Sequence, residues 1–305
     1  MKKFLYQEAD FYGASKLIFG KKQLPICYKA SWMHGVGYIF FDNVDSNVLI
    51  HYNEDFLPIH LVNNNDTKEL LNSEGRNSVA VGMPYIYTKS FSKNKKQKTL
   101  YKRMFMPKHM ISKFKRNAND YSKWKNIISK YGCDAICLAT SDYINLSNTN
   151  ILGNVKLVHG AYAGDSSSLE RISKIFFSTE EVITDVIGSH IVYASASGVK
   201  IKLIDAIKDN YKFSTRLLYG VPLKARKSFR DYFKSNKKLS SLIWTSGNNA
   251  EIKEYSKYIL GIKHKKSKET MQNYLTPKNN LQKMGIISRL LINKFSSRLE
   301  SYKKF

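Results

Sequence analysis

The sequence predicts an α/β protein of two Rossmann-like halves with parallel sheets, and three observations carry that expectation. Apolar runs of strand length alternate with segments of helical periodicity, as in a parallel sheet joined by crossover helices. Cap residues open several of the helical segments, and glycines close them. One charged, aperiodic stretch divides the series into two.

Taken in order, LPICYKASW reads as a strand that ends at the loop MHGVGYIF. PIHLVNN (strand), DTKELLNSEG (helix with an Asp cap and a Gly stop) and NSVAVGMPYIY (strand) then form one βαβ unit. The segment TKSFSKNKKQK, Thr88 to Lys98, is the expected linker, and the domain boundary is placed there. A second series follows: YKRMFMP (strand), NDYSKWKNIISKYG (helix), CDAICLAT (strand) and NVKLVHG (strand). It continues with DSSSLERISKIF (helix capped by Asp165 or Ser166), EVITD (strand), SHIVYASASG (helix) and VKIKLI (strand). Beyond Asp205 the pattern is mostly helical, with DYFKSNKKLSSLIW, NAEIKEYSKYILG and QKMGIISRLLINKFSSRLESYKKF. The expected division is residues 1–98, residues 99–275, and a C-terminal amphipathic helix over 276–305 that crosses back to the first half.

With 305 residues and 43% hydrophobic content, each half can bury a core. The net charge of +26 points to an anionic partner, substrate or working surface. Only nine of the 50 basic residues are Arg, which weakens a base-reading role, because Arg is the side chain that reads guanine and phosphate bidentately. Tyr101, Phe105 and Phe114 lie among the basic residues 93–116 and keep a nucleic-acid-binding alternative open. Three cysteines without zinc spacing read as buried free thiols. No apolar run approaches the ~20 residues of a membrane span, and no signal-peptide apolar region opens the chain, so a cytoplasmic protein is expected.

The most informative stretch is VITDVIGSHIVYASASGVKIKLID, residues 182–205. A strand runs into Gly188, Ser189 and His190 at the mouth of a helix, Gly198 ends that helix, and another strand begins. Helix N-termini at the carboxyl ends of parallel strands bind anions. There Gly188 permits close backbone approach, Ser189 offers a hydroxyl and His190 a ring N–H. A plainer reading has Ser189 capping the helix and His190 packing. The segment T-D-x-x-G-S-H followed by helix, Gly and strand resembles the donor-binding βαβ unit of GT-B glycosyltransferases. GSHIVYASASGVKIKL, VAVGMPYIY and MFMPKHM resemble landmarks of GT-B-like proteins from bacterial O-antigen and capsule gene clusters. The resemblance, which spans roughly Cys27 to Asp205, implies a nucleotide-sugar donor held by His109, Thr184, Gly188, Ser189, His190 and Tyr193. It makes the first half the acceptor domain and the second the donor domain. Tyr193 stands where many such enzymes carry a Glu for the ribose hydroxyls, which shifts the expectation toward a CMP-activated acidic sugar.

His34, His109, His159 and His190 all fall at strand-to-loop or loop-to-helix junctions. His34, beside Gly35, is the candidate base toward an acceptor hydroxyl. His159 and Asp165 are further catalytic candidates, with Asp165 read as base, nucleophile or helix cap; Asp142 and Asp185 are comparable carboxylates. Asp42 and Asp45 form an isolated acidic pair, so neither metal nor cofactor is expected. The 276–305 segment puts Ile286, Ile287, Leu290, Leu291, Phe295 and Leu299 largely on one helical face with basic residues around it, suited to packing and also to an anionic membrane surface. The expected partners are a nucleotide sugar and a glycan or lipid-linked acceptor, with attachment to the inner membrane face compatible. Rival readings are a nucleic-acid-binding protein, a nucleotide-sugar epimerase or a polyol-phosphate transferase.

Overall fold

The computed structural model describes residues 7–20, 23–35, 54–93, 98–108, 118–186, 188–204 and 249–302, with backbone alone from 294 onward. The protein is α/β with two wholly parallel sheets, as the alternating pattern requires. A 3-10 turn, Glu8–Gly13, leads into α1 (Ala14–Phe19). The first sheet has the order β1-β2-β3, formed by β1 (Ala30–Trp32), β2 (Ile59–Val62) and β3 (Ser78–Ala80). Between β2 and β3 runs α2 (Asn65–Ser73), capped not by Asp66 but by Asn64, whose side chain accepts from Thr67 N. The expected long strand 77–87 stops at Ala80, because Pro84 opens a 3-10 turn, Pro84–Tyr87.

The expected linker is partly ordered. Lys89–Lys93 is a short helix, α3, in which Phe91 packs on the Phe177 ring and Lys89 N donates to Glu170. Its polar sequence hid one apolar anchor, and residues 94–97 lie outside the described set. The second sheet then begins with β4 (Tyr101–Met106), followed by α4 (Ala118–Tyr131) and β5 (Ala135–Leu138). A crossover helix not expected from the sequence, α5 (Thr140–Ser147), leads to β6 (Lys156–His159). It is too short and weakly patterned to stand out from its flanking strands. The series closes with α6 (Ser168–Phe177), β7 (Thr179–Thr184), α7 (Ser189–Ala196) and β8 (Lys200–Leu203). The helix expected over 231–244 lies outside the described residues.

The second sheet has the order β6-β5-β4-β7-β8, so the chain steps outward from β4 and then returns across it to β7. The strand order thus reverses between β4 and β7, and in open parallel sheets ligands bind in the crevice at the carboxyl edge of such a switch point.

Three further helices tie the halves together: α8 (Asn249–Leu260), α9 (Lys268–Leu275) and α10 (Asn280–Tyr302). α8 lies along α7, and its end docks on the first sheet, where Asn63 Nδ2 donates to the Ile259 carbonyl and Met83 N to the Leu260 carbonyl. Gly261 ends α8 at φ +67°, against the Asn63 backbone. α10 buries Ile286 and Leu290 on Cys27 and Leu57 of the first half. One apolar cluster runs through both sheets, from Trp32, Leu61 and Met83 to Met104, Val182 and Tyr193. All three cysteines are buried and free.

Two outcomes are expected. A Cβ on Gly261 would lie 1.7 Å from the Asn63 carbonyl oxygen, backbone that cannot swing aside. Gly261→Ala should therefore lower unfolding free energy in urea by about 3 kcal/mol or more. Gly75, equally left-handed at φ +78° but facing open space, should cost only about 1 kcal/mol on the same change. Separately, burial pushes the His60 imidazole down to about 4 while its Nδ1 meets Ser31 Oγ at 2.9 Å. The unfolded chain then binds a proton near pH 6.5 that the fold refuses, so stability falls as pH drops from about 6.5 toward 4. His60→Gln should flatten that slope in thermal midpoints.

Candidate functional site

Two strands of the second sheet, β6 and β7, end in polar residues at the carboxyl edge, His159 and Thr184. Thr184, which ends β7, donates its hydroxyl proton to the Met106 carbonyl at 2.8 Å, bridging β4 and β7 at the crevice. With that proton spent, Thr184 Oγ1 accepts from His190 Nε2 at 2.9 Å. His190 is therefore turned so that Nδ1 lies over Gly188, where an added Cβ would stand 3.2 Å from it. Gly188 is the N-cap of α7 in an extended backbone, and Ser189 is the first helical residue. Asp185 also faces β4, its Oδ1 accepting from Lys108 N at 2.6 Å. His109, next in the chain, lies outside the described residues, as do Asp42, Asp45 and Phe114.

On β5 and β6 the edge carries a second group. His159 Nε2 meets Thr140 Oγ1 at 2.8 Å and its ring stacks on Tyr143 at 4.9 Å. Burial, and then the Arg171 charge, push its pKa down. The loop beyond it is clamped by Arg171, whose Nε and Nη2 donate to the Gly160 carbonyl and whose Nη2 reaches Asp165 at 2.5 Å. Asp165 Oδ1 also accepts from the Ser167 N–H and hydroxyl. The N-cap of α6 is Ser167, a correction to the expected Asp165 or Ser166. Although burial opposes it, the Ser167 and Arg171 donors hold the Asp165 carboxyl at about 2. A carboxylate so occupied fixes a loop and is a weak base.

Facing this edge, His34 follows β1. Its Nδ1 lies 3.0 Å from Glu8 Oε1, Phe11 meets it edge-on at 4.6 Å, and Tyr12 lies at 5.6 Å. Burial pushes the imidazole down to about 4, so the ring is neutral at pH 7 and donates Nδ1–H to the Glu8 carboxyl. That tautomer leaves a lone pair on Nε2, and the side chain keeps 24% of its surface exposed. Sequence reasoning found His34 and missed its partner, because Glu8 sits in a short 3-10 turn without periodicity. It also missed Tyr12, half-buried at φ +58°, a non-glycine residue in left-handed backbone. Tyr12 N donates to the Ala163 carbonyl, and Gly13 packs directly on Ser166, so this turn grips the loop that carries Asp165.

Tyr193 joins the two edges. Its hydroxyl donates to the His34 carbonyl at 2.9 Å, and its ring stacks on Tyr85 at 4.3 Å and 5°. The structure thus brings His34 and α7 together through Tyr193, with His159 at the end of β6 and Asp165 on the loop beside the Glu8–Gly13 turn. Tyr101 and Phe105, the aromatic residues that sustained a base-stacking surface, are buried.

The sequence matches no protein-family model. It matches no curated protein either. Among solved structures, the chain is similar to that of the wall teichoic acid polymerase TagF, at 11% identity and a TM-score of 0.35 over 77% of this chain and 68% of that one. A score that low carries nothing about chemistry, and the site rests on its own geometry.

Removing the Tyr193 hydroxyl should separate packing from the cross-edge bond. Tyr193→Phe keeps the stack on Tyr85 and leaves the His34 carbonyl short of a donor, at a cost of about 1–2 kcal/mol in chemical denaturation.

Proposed function

We propose that the protein is a GT-B glycosyltransferase moving a sugar from a nucleotide-activated donor to a cell-surface glycan or lipid-linked acceptor. The observation that supports this most is the meeting of two edges: the β4–β7 crevice with Thr184, Gly188 and His190 lies across the Tyr193 bond from His34. In this reading the donor phosphate sits at the start of α7, against Gly188, Ser189 and the Nδ1 edge of His190. The positive end of the helix dipole and the imidazole stabilise the departing phosphate without a metal. Since Thr184 holds Nε2–H, a phosphate on Nδ1 recruits the protonated ring.

His34 is the base. Its Nε2 lone pair takes the acceptor hydroxyl proton while Glu8 fixes the tautomer and steadies the charge that develops on the ring. His109 and His159 line the nucleotide side, and Asp165 shapes the adjoining loop. Tyr193 is committed to His34 and offers no carboxylate to ribose hydroxyls, which favours a CMP-activated acidic sugar. An epimerase or polyol-phosphate transferase on this scaffold would keep the donor cradle; an epimerase would turn over nucleotide sugar with no acceptor present.

The test is thermal denaturation with CMP, CDP, UDP and GDP. A nucleotide at a hundredfold excess over its Kd adds about 2.7 kcal/mol, enough to move the midpoint by several degrees. His190→Ala should abolish the shift. His34→Ala should keep it and lower kcat about 10²- to 10⁴-fold. No shift with any nucleotide, together with oligonucleotide stabilisation that disappears at high salt, would replace this reading with nucleic-acid binding.

A further inference from the structure

Helix α10 carries an apolar face that the sequence pattern did not single out. Ile286 and Leu290 point inward onto Cys27 and Leu57. On the other side, Leu281, Met284 and Ile292 are 82%, 66% and 62% exposed. At 100° per residue these three positions fall within about 80° of one another, with Ser288 between them and Gly285 at their edge, so they form one strip along the helix. Scattered single apolar residues need no explanation, but three on one strip of a 23-residue helix do. Among the described residues, no helix is long and apolar enough to cross a bilayer.

The charge around the strip selects its occupant. Residues 276–305 contain seven Lys and Arg against a single acid, Glu300, within a chain of net charge +26. Arg289 lies about 80° around the helix from the strip, its guanidinium over the Phe56 ring at 5.7 Å. A second copy of the chain would bring the same positive field against itself, which opposes self-association through this face. A surface dense in negative charge with an apolar layer beneath it satisfies both features.

We infer that α10 is a membrane-docking helix that lies on an anionic bilayer, Leu281, Met284 and Ile292 entering the acyl boundary and basic residues of the segment, Arg289 among them, meeting lipid phosphates. This inference is independent of the donor-site reading, which concerns the opposite elements of the fold. It names the surface by which the protein would reach a lipid-linked substrate.

The test is sedimentation of the full chain with vesicles of phosphatidylcholine alone or mixed with phosphatidylglycerol. Wild type should bind the anionic vesicles and not the neutral ones. L281Q/M284Q/I292Q should bind at least about tenfold more weakly, with an unchanged thermal midpoint and an unchanged nucleotide response. Met284→Trp supplies a second readout, since its emission should shift to the blue on anionic vesicles alone. Undiminished binding by the triple variant, or no blue shift, would overturn the inference. So would a dimer in sedimentation velocity that the triple variant converts to monomer, which would assign the strip to a second copy. Because the variants leave the crevice intact, failure here and failure of the nucleotide test are read separately.

Discussion

The rings of Tyr85 and Tyr193 stack at 4.3 Å between the two sheets, and each hydroxyl finds a partner there, Ser197 Oγ for one and the His34 carbonyl for the other. Tyr85 belongs to the 3-10 turn after β3 and Tyr193 to α7, so one contact spans elements 108 positions apart in sequence. Burying two phenols is favourable only where both hydroxyls are satisfied, which permits one relative placement of the sheets. Burial accordingly pushes both phenols up, so neither ionises at physiological pH. The crevice geometry follows from this lock: α7 cannot move without pulling the His34 loop. The start of α7 and the His34 loop are thereby held to a fixed separation, the condition under which groups on two edges can act on one ligand.

The second sheet was legible in the sequence, because each of its strands is a short apolar run bounded by turn residues, and the Gly188–His190 junction announces its helix directly. The first half was harder. Its strands are three or four residues long, and LPICYKASW and NSVAVGMPYIY each contain far more apolar sequence than strand. The surplus is core supplied by turns, as Tyr28, Met83 and Tyr85 show. Periodicity reports burial, and burial here is not confined to regular elements. Glu8 and Tyr12 stayed hidden for a related reason: their roles come from a left-handed turn and from contacts with residues at 34 and 163, and neither leaves a local pattern.

The charge has a structural origin as well as a composition. Several acids are held by donors of the fold: buried Asp10 accepts from Ser15 and Tyr28, buried Glu54 from Glu8 N, exposed Asp134 from Lys102 N and Arg103 N, and half-buried Asp185 from Lys108 N. Others pair with Arg, as Asp55 and Glu74 do with Arg76 and Asp165 with Arg171. Backbone N–H groups carry no formal charge, so an acid satisfied by one still contributes its negative charge. Lysines, with long stems that keep the ammonium in water, dominate the outside.

Several lysines also lie over tyrosine rings, Lys156 on Tyr101 and Lys202 on Tyr131, which shields the aromatics and leaves the ammonium outermost. A ligand arriving from solution therefore meets point charges on flexible stems, suited to attracting many kinds of phosphate and poorly suited to telling them apart. Discrimination has to come from somewhere rigid, and the rigid polar groups are those at the carboxyl edges: Thr184 and His190 pinned to each other, His34 held by Glu8, and a loop clamped by Arg171. Charge on flexible stems acts on anions in general, whereas fixed imidazoles and hydroxyls are the kind of group able to tell one ligand from another.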